Sequence, residues 1–265
     1  MKDSATPPEA RDLFVETADG RLYVKIWGAT GAAAPLILFH DSLGCVELWR
    51  DFPEQLAQAT GRAVIAYDRL GFGRSDPYPG LLPNDFIRRE ATTGLAAIRA
   101  HLGLGKMILF GHSVGGGMAV SAAAAFPEVT LAIVTESAQA FVEDCTLAGI
   151  REAQSAFETP GQIERLERYH DDKARWVLDA WVKTWQRPEF ADWTLDDQLL
   201  RIHCPVLAMH GDKDEFGSGL HPERISGLPP GLGRIVILEN CGHVPHREQP
   251  EAVLRAVCEF LAAQD

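Results

Sequence analysis

The sequence has no apolar run that approaches the length of a membrane span, and it carries no excess of positive charge. Lysine and arginine total 25 against 37 aspartates and glutamates, so the formal net charge is −12. Such a chain has no excess of positive charge to attract the phosphates of a nucleic acid, which argues against a nucleic-acid partner. Residues 1–8 also lack the apolar core of a signal peptide, so we expect a cytoplasmic protein with no membrane partner.

Cysteine is scarce and shows no pattern. The chain has five cysteines, widely spaced and without a Cys-x-x-Cys pair: Cys45, Cys145, Cys204, Cys241 and Cys258. An odd number at such spacing suits neither a disulfide framework nor a metal site. We therefore expect free, buried thiols in a reducing compartment, and no bound metal.

What the chain does contain is an alternation of apolar extended runs with helical segments. Hydrophobic residues make up 46% and charged residues 23%, as in an ordinary globular protein. The predicted strands are 13–16, 22–27, 35–39, 62–67, 107–110, 131–134, 205–209 and 234–238. The predicted helices between them include 49–59, 84–102 and 114–126. This alternation predicts an α/β fold whose mostly parallel, doubly wound sheet is covered by helices on both faces.

The alternation stops between residues 137 and 202. Predicted strands disappear there, tryptophans become frequent, and Ala174, Leu178, Trp181 and Trp185 recur at steps of four, three and four, along one helix face. We therefore predict a core domain of residues 1–136 and 203–265, interrupted by a helical insertion of residues 137–202.

One turn carries the strongest chemical signal. Gly111-His112-Ser113-Val114-Gly115 reads Gly-x-Ser-x-Gly and lies between an apolar strand and an alanine-rich helix. This is the pattern of a nucleophile elbow, in which a tight strand-to-helix turn holds a serine hydroxyl clear of the sheet. The two glycines are needed where a Cβ would crowd the strained turn. Ser113 is the candidate nucleophile.

A serine nucleophile needs a base and a group that orients the base. His243 and Asp214 each follow a predicted strand, at the sheet edge where open α/β folds bind ligands. Asp212 and Glu136 also follow strands and are alternatives for the acid. The order Ser113, Asp214, His243 is the order of acid and base found with nucleophile elbows.

Several motifs now point to one family. They are His40-Asp41-Ser42-Leu43-Gly44, Asp68-Arg69-Leu70-Gly71-Phe72-Gly73-Arg74-Ser75, Gly111-His112-Ser113-Val114-Gly115-Gly116, Gly211-Asp212-Lys213-Asp214 and Gly242-His243-Val244-Pro245-His246-Arg247-Glu248-Gln249-Pro250. The chain resembles the α/β-hydrolase superfamily, in the branch with a helical cap. The resemblance implies Ser113 as nucleophile, His243 as base and Asp214 as orienter. It also implies an oxyanion hole made by the N–H groups of Ser42 and Val114.

One residue departs from the pattern of that family. Glycine usually follows the histidine of the oxyanion loop, and here the residue is Asp41. We favour the interpretation that Asp41 stabilises its own turn, since aspartate bonds nearby backbone groups and tolerates left-handed conformations. The alternative is a carboxylate that tunes His243 or repels anionic substrates.

The insertion contains four tryptophans, Trp176, Trp181, Trp185 and Trp193. Tryptophans in a short helical segment more often pack than bind substrate. We expect one or two to line the pocket, with Trp181 and Trp185 as the candidates.

These observations predict a cofactor-independent serine hydrolase, a carboxylesterase that acts on a small or medium acyl or aromatic substrate. Carbon–carbon hydrolysis of a vinylogous diketone is the main alternative, and lactone or thioester hydrolysis uses the same residues. A non-catalytic ligand receptor on the same fold is a more remote alternative. The expected partner is a small-molecule substrate, and a homodimer is possible.

Overall fold

The protein is described by a computed structural model that covers residues 10–31, 33–230 and 233–264. The absence of a signal peptide was inferred from residues 1–8, which lie outside the described residues. Eight strands form one sheet in the order β1-β2-β4-β3-β5-β6-β7-β8. The strands are β1 Ala10–Thr17, β2 Gly20–Trp27, β3 Leu36–Phe39, β4 Val64–Tyr67, β5 Met107–His112, β6 Thr130–Glu136, β7 Val206–Gly211 and β8 Gly233–Leu238.

The sheet is antiparallel only at the β1 edge. Strand β2 pairs antiparallel with both β1 and β4, and every pairing from β4 through β8 is parallel. All carboxyl ends of these parallel strands therefore meet at one edge of the sheet, where the loops that carry the candidate site residues lie.

The helices cover both faces of this sheet. They are α1 Phe52–Thr60, α2 Phe86–Thr92, α3 Gly94–Leu102, α4 Val114–Ala125, α5 Asp144–Ala156, α6 Gln162–His170, α7 Ala174–Trp185, α8 Asp196–Leu199, α9 Leu220–Gly227, α10 Pro245–Glu248 and α11 Pro250–Ala262. Short 3-10 turns occupy Val46–Trp49, Asp171–Lys173 and Pro188–Phe190.

The position of strand β3 explains why each of its residues is apolar. Its residues are completely buried, and they alternate between two separate cores. Ile37 and Phe39 belong to the core under α2, α3 and α4, whereas Leu36 and Leu38 belong to the core under α1 and α11. A parallel strand covered on both faces needs apolar residues at every position, which confirms the predicted doubly wound sheet.

Residues 137–202, between β6 and β7, are described as helices α5 to α8 and their connections. The single β-bridge described in this segment joins Phe141 to Thr194. Several of its large side chains pack on one another, with Trp193 stacked on Phe190 and Trp185 edge-on to both. The segment thus has apolar packing of its own above the carboxyl edge of the sheet.

The helix predicted for residues 84–102 is wrong in one respect, because the structure has two helices there. They are separated at Thr93, whose φ and ψ are −108° and −90°. The next residue, Gly94, lies so close to Glu90 that a Cβ at Gly94 would be 2.0 Å from the Glu90 carboxylate. The carboxylate in turn accepts a hydrogen bond from the Tyr67 hydroxyl at 2.7 Å. This long-range contact, which periodicity does not show, accompanies the break.

All five cysteines are free, as predicted, but only Cys45 and Cys241 are buried, whereas Cys145 is exposed. The expectation that all the thiols are buried is therefore wrong. Within the described residues, no helix combines the length and the apolar character that crossing a membrane requires.

Candidate active site

Ser113 lies between β5 and α4 with φ 54° and ψ −126°, a left-handed backbone conformation that non-glycine residues rarely adopt. Two close backbone contacts accompany this turn. A Cβ at Gly111 would lie 2.1 Å from the Gly115 carbonyl oxygen, and a Cβ at Gly115 would lie 2.1 Å from the Phe39 carbonyl oxygen. Any side chain at either position would therefore push the helix away from the strands. Both glycines of the motif are required by geometry.

The base and acid candidates are joined directly. His243 Nδ1 donates to Asp214 Oδ1 at 2.8 Å, and the same oxygen accepts the Phe216 N–H at 2.8 Å. The Asp214 side chain is fully buried and that of His243 is 11% exposed. Because a carboxylate only accepts, the proton lies on Nδ1, which leaves Nε2 of His243 free to act as a base.

The surroundings set the charges of this pair. Burial raises the pKa of Asp214, but the hydrogen bond and positive charge of His243 outweigh it, so the pKa lies below its ordinary value. Burial likewise lowers the pKa of His243, but Asp214 and then Asp41 raise it by more, and the net shift is upward. Asp214 is therefore a carboxylate that stabilises the protonated form of His243.

The two alternative acids have other partners. The Asp212 carboxylate binds the backbone of the loop after β8, because its Oδ1 accepts the Cys241 N–H at 3.3 Å. Glu136 binds a different histidine, because its Oε2 accepts from His246 Nδ1 at 2.7 Å. Only Asp214, of the three carboxylates considered from the sequence, contacts His243.

Sequence reasoning missed Gln139, a buried side chain beside the nucleophile. The Ser113 hydroxyl donates to Gln139 Oε1 at 3.4 Å, and within the described residues it makes no hydrogen bond to His243. Rotation about the serine side chain would be needed to present the hydroxyl to the base, and such loosening is common without substrate. Gln139 follows β6 by three residues, so the rule that sites gather at carboxyl strand ends was the available signal.

The oxyanion loop begins immediately after Phe39 and is held by a buried histidine and a buried arginine. His40 Nδ1 donates to the Asp41 carbonyl at 2.8 Å, while His40 Nε2 accepts the Arg69 N–H at 3.1 Å. The Arg69 guanidinium also donates to the Asp41 carbonyl at 2.8 Å. Burial, then the charge of Arg69, hold the pKa of His40 well below its ordinary value, so His40 is neutral.

The candidate oxyanion donors are backbone N–H groups. Val114 is the first residue of α4, where an N–H has no partner within the helix. In the described part of the chain, the Ser42 N–H donates to no acceptor. Ser42 lines the same cavity as Ser113 and His243. Both N–H groups therefore remain candidates for binding a substrate oxygen.

Asp41 behaves differently from the turn-stabilising residue that we favoured. Its turn is closed by backbone, with the Gly44 N–H donating to the Asp41 carbonyl at 3.3 Å. The carboxylate forms no hydrogen bond within the described residues, and it lies against Gly44, where a Cβ would be in severe overlap with it. Since it lines the cavity and raises the pKa of His243, the structure favours the alternative of an electrostatic role.

Ser113 and His243 open onto a cavity of about 260 Å³ beneath the helices of residues 137–202. Its roof includes Trp181 and Trp185, the two candidates named from the sequence. Trp176 instead stacks on Tyr78, and Trp193 stacks on Phe190. A second cavity of about 350 Å³, beside Arg69 and Glu90, is larger but contains neither Ser113 nor His243. The smaller cavity is therefore the candidate active site, because it contains the candidate nucleophile and base.

One group of described side chains has the composition and spacing of metal ligands. The ligand atoms of His112, Glu136 and His246 lie within 4.8 Å of one another, and all three residues are buried. The sequence did not predict this group. Two of its nitrogens already have partners in the protein, since His112 Nε2 binds the His243 carbonyl and His246 Nδ1 binds Glu136.

Comparison with known proteins agrees with this architecture. The alpha/beta hydrolase fold family matches residues 34–165. Human serine hydrolase BPHL is 33% identical over 198 residues, which cover 72% of this chain and 66% of that protein. Proline iminopeptidase of Lactobacillus helveticus is 24% identical over 284 residues, covering 92% and 95% of the two chains. The structure of carboxylesterase CesB from Bacillus subtilis matches with a TM-score of 0.70, 25% identity and 97% and 93% coverage.

The sheet order, the serine turn and these matches define a class. The chain belongs to the α/β-hydrolase superfamily and is a hydrolase of that family.

The contact between Asp214 and His243 predicts the effect of an amide at the acid position. Asp214→Asn should lower kcat by a factor on the order of 10⁴, because the amide no longer stabilises the charged histidine or selects its tautomer. Single-turnover acylation rates would measure this. Asp212→Asn is the matched control and should cost far less. Equal losses in the two variants would contradict the assignment of the acid.

The raised pKa of His243 predicts a pH profile. Catalysis needs the neutral base, so kcat/KM should fall with decreasing pH through an ionisation above the ordinary histidine value of about 6.5. Asp41→Asn removes a negative charge that raises this pKa, and the acid limb should therefore move to lower pH. Glu47→Gln changes an exposed carboxylate outside the cavity and serves as the control. An unchanged acid limb in Asp41→Asn would refute the electrostatic role of Asp41.

Proposed function

We propose that this protein is a cofactor-independent serine hydrolase that cleaves an ester-like bond of a small or medium acyl or aromatic substrate. One observation carries the proposal. Ser113, on its strained turn, and His243, bonded at 2.8 Å to the buried Asp214, share a single cavity of about 260 Å³. A cavity of this size suits a small ligand.

The reaction proceeds in two halves. Ser113 attacks the substrate carbonyl as His243 Nε2 takes its proton, and the N–H groups of Val114 and Ser42 bind the developing oxyanion. His243 then protonates the leaving group and the acyl-enzyme forms. A water molecule, deprotonated by His243, attacks the ester on Ser113, and the proton returns to the serine as the acid product leaves. Asp214 orients the imidazole throughout without taking its proton.

The names of relatives support hydrolysis of acyl bonds. They include a serine hydrolase, a carboxylesterase and proline iminopeptidases. Proline iminopeptidases are named as peptidases, so some relatives of this chain act on amide bonds. Lactones and thioesters make the same demands on nucleophile, base and oxyanion donors, and the fold does not distinguish them.

The charge of the residues that line the cavity limits the classes of substrate that can bind there. Asp41 and Glu215 both line it, and no lysine or arginine is among the described residues that do so. Two carboxylates without a compensating cation repel an anion and attract a cation. An ionised vinylogous diketone is therefore disfavoured, and a neutral acyl group is favoured. A substrate that carries a protonated amine, as an aminoacyl ester or amide does, is the second candidate.

The nucleophile assignment gives the most direct kinetic test of the proposal. Ser113→Ala should reduce kcat for nitrophenyl esters by a factor on the order of 10⁵ to 10⁶, because the members of such a triad act as a unit. Circular dichroism should show an intact fold, since alanine is smaller than serine and leaves the turn unchanged. Retention of more than a few per cent of wild-type activity in a folded variant would exclude Ser113 as the nucleophile.

The tryptophans of the roof predict a change in chain-length preference. Trp181 lines the cavity and meets Phe216 edge-on, with ring centroids 5.8 Å apart. Trp181→Ala should therefore raise kcat/KM for long acyl chains relative to short ones, measured on nitrophenyl esters of graded length. Trp193→Ala, which alters a ring packed on Phe190 outside the cavity, should shift every ester by the same factor. A uniform shift in Trp181→Ala would assign that residue to packing alone.

The acidic cavity predicts discrimination by charge. Among nitrophenyl esters of matched length, the ester with a terminal amine should exceed the ester with a terminal carboxylate in kcat/KM by about tenfold or more. The double variant Asp41→Asn, Glu215→Gln should reduce this ratio, whereas Glu128→Gln, an exposed residue outside the cavity, should not. A preference for the anionic ester in the wild-type protein would contradict this account of the cavity.

A further inference from the structure

Three buried ionisable side chains beside the site have no part in the chemistry proposed above. His112, Glu136 and His246 are 2%, 0% and 5% exposed, and none of them lines the substrate cavity. Removing such groups from water is unfavourable unless they are paired and hydrogen-bonded. The hydrogen bonds that these three side chains form therefore indicate the role of the group.

The first contact joins the elbow to the base. His112, the residue before Ser113, donates from Nε2 to the carbonyl oxygen of His243 at 2.7 Å. A carbonyl can only accept, so the proton of His112 is on Nε2. Burial, then the electrostatic effect of the nearby His246, lower the pKa of His112 to about 4, which keeps this imidazole neutral near pH 7. One hydrogen bond thus links the neighbour of the nucleophile to the base residue itself.

The second contact joins the loop that carries His243 to the end of strand β6. Glu136 Oε2 accepts from Nδ1 of His246, three residues after His243, at 2.7 Å. Glu136 also holds the nucleophile, because its backbone carbonyl accepts the Ser113 N–H at 2.8 Å. A single residue at the end of β6 therefore binds both the elbow and the loop that carries the base.

Aromatic packing fixes the orientation of His246. The rings of Trp49 and Phe52 lie 4.6 Å and 5.4 Å from the His246 ring, between centroids. His112 lies between the two loop histidines, 5.2 Å from His243 and 5.0 Å from His246. These ring contacts restrict the positions that the loop carrying His243 and His246 can adopt.

We propose that His112, Glu136 and His246 form a positioning cluster that fixes the catalytic base His243 relative to Ser113. The proposal rests on the function proposed above and extends it, because these residues act through His243 and touch neither substrate nor reacting atoms. A displacement of about 1 Å between reacting groups costs roughly 10²-fold in rate. Losing either contact allows the His243 loop to drift by distances of this kind.

The test compares two substitutions of one residue. His112→Leu keeps the apolar bulk but removes the donor, whereas His112→Gln retains an N–H that can reach the His243 carbonyl. His112→Leu should lower kcat roughly 10- to 100-fold with little change in KM, and His112→Gln should recover most of the loss. Tyr67→Phe, which removes a buried hydrogen bond to Glu90 away from the cluster, is the control and should leave kcat unchanged. A His112→Gln variant as impaired as His112→Leu would overturn the proposal.

A second readout does not depend on any substrate. The proton between His243 Nδ1 and Asp214 should give a downfield resonance in the proton spectrum, assigned by its loss in Asp214→Asn. In His112→Leu this resonance should broaden or move upfield, whereas in Tyr67→Phe it should stay in place. If His112→Leu fails to fold, the near-isosteric Glu136→Gln takes its place and should perturb the same resonance. An unperturbed resonance in a folded cluster variant would contradict a positioning role.

The two readouts separate this proposal from the function on which it rests. If wild-type protein hydrolyses none of the acyl substrates, the proposed function fails, while the resonance still decides the positioning role. The same side chains could instead bind a cation, because Glu136 Oε1 is buried without a donor among the described residues. Metal analysis of the purified protein should find no stoichiometric divalent ion. One equivalent of zinc that is lost in Glu136→Gln would overturn the positioning role.

Discussion

The close approach of helix α4 to strands β3 and β5 is the constraint on which the site depends. Only Ser113 separates β5 from this helix, and the first turn of the helix touches the backbone of Phe39 at the position of Gly115. Phe39 is the last residue of β3, and the oxyanion loop begins at the next residue. The contact that forces glycine at position 115 therefore also sets the distance between the candidate nucleophile and the candidate oxyanion donor. The strained backbone of Ser113 persists because the surrounding strands leave the turn no alternative.

The sheet and the loops of the candidate site were predictable because both follow from local patterns. A strand such as β3, buried on both faces, must be apolar throughout, and parallel strands bring their carboxyl ends to one edge. Ser113, Asp214 and His243 each follow a parallel strand, so their proximity at the carboxyl edge of the sheet could be expected before any contact was known. The structure brings the last two within 2.8 Å of each other.

What the sequence did not reveal depends on contacts between distant segments. The break at Thr93 accompanies the hydrogen bond from Tyr67 to Glu90, and the pairing of Glu136 with His246 joins residues 110 positions apart. Gln139 lies next to Ser113 only because the chain after β6 turns over the elbow. The sequence also did not show that Asp41 lines the cavity, or that its turn is closed by backbone and not by its carboxylate. Neither periodicity nor motif spacing encodes such contacts.

The central claim is that Ser113 is the nucleophile and that His243 activates it. The most direct measurement is covalent labelling with a neutral fluorophosphonate, followed by peptide mass spectrometry across a range of pH. The account predicts one adduct per chain, located on Ser113, that forms more slowly as pH falls and His243 becomes protonated. An adduct on another residue, or labelling of Ser113 at a rate that does not change between acid and neutral pH, would contradict it.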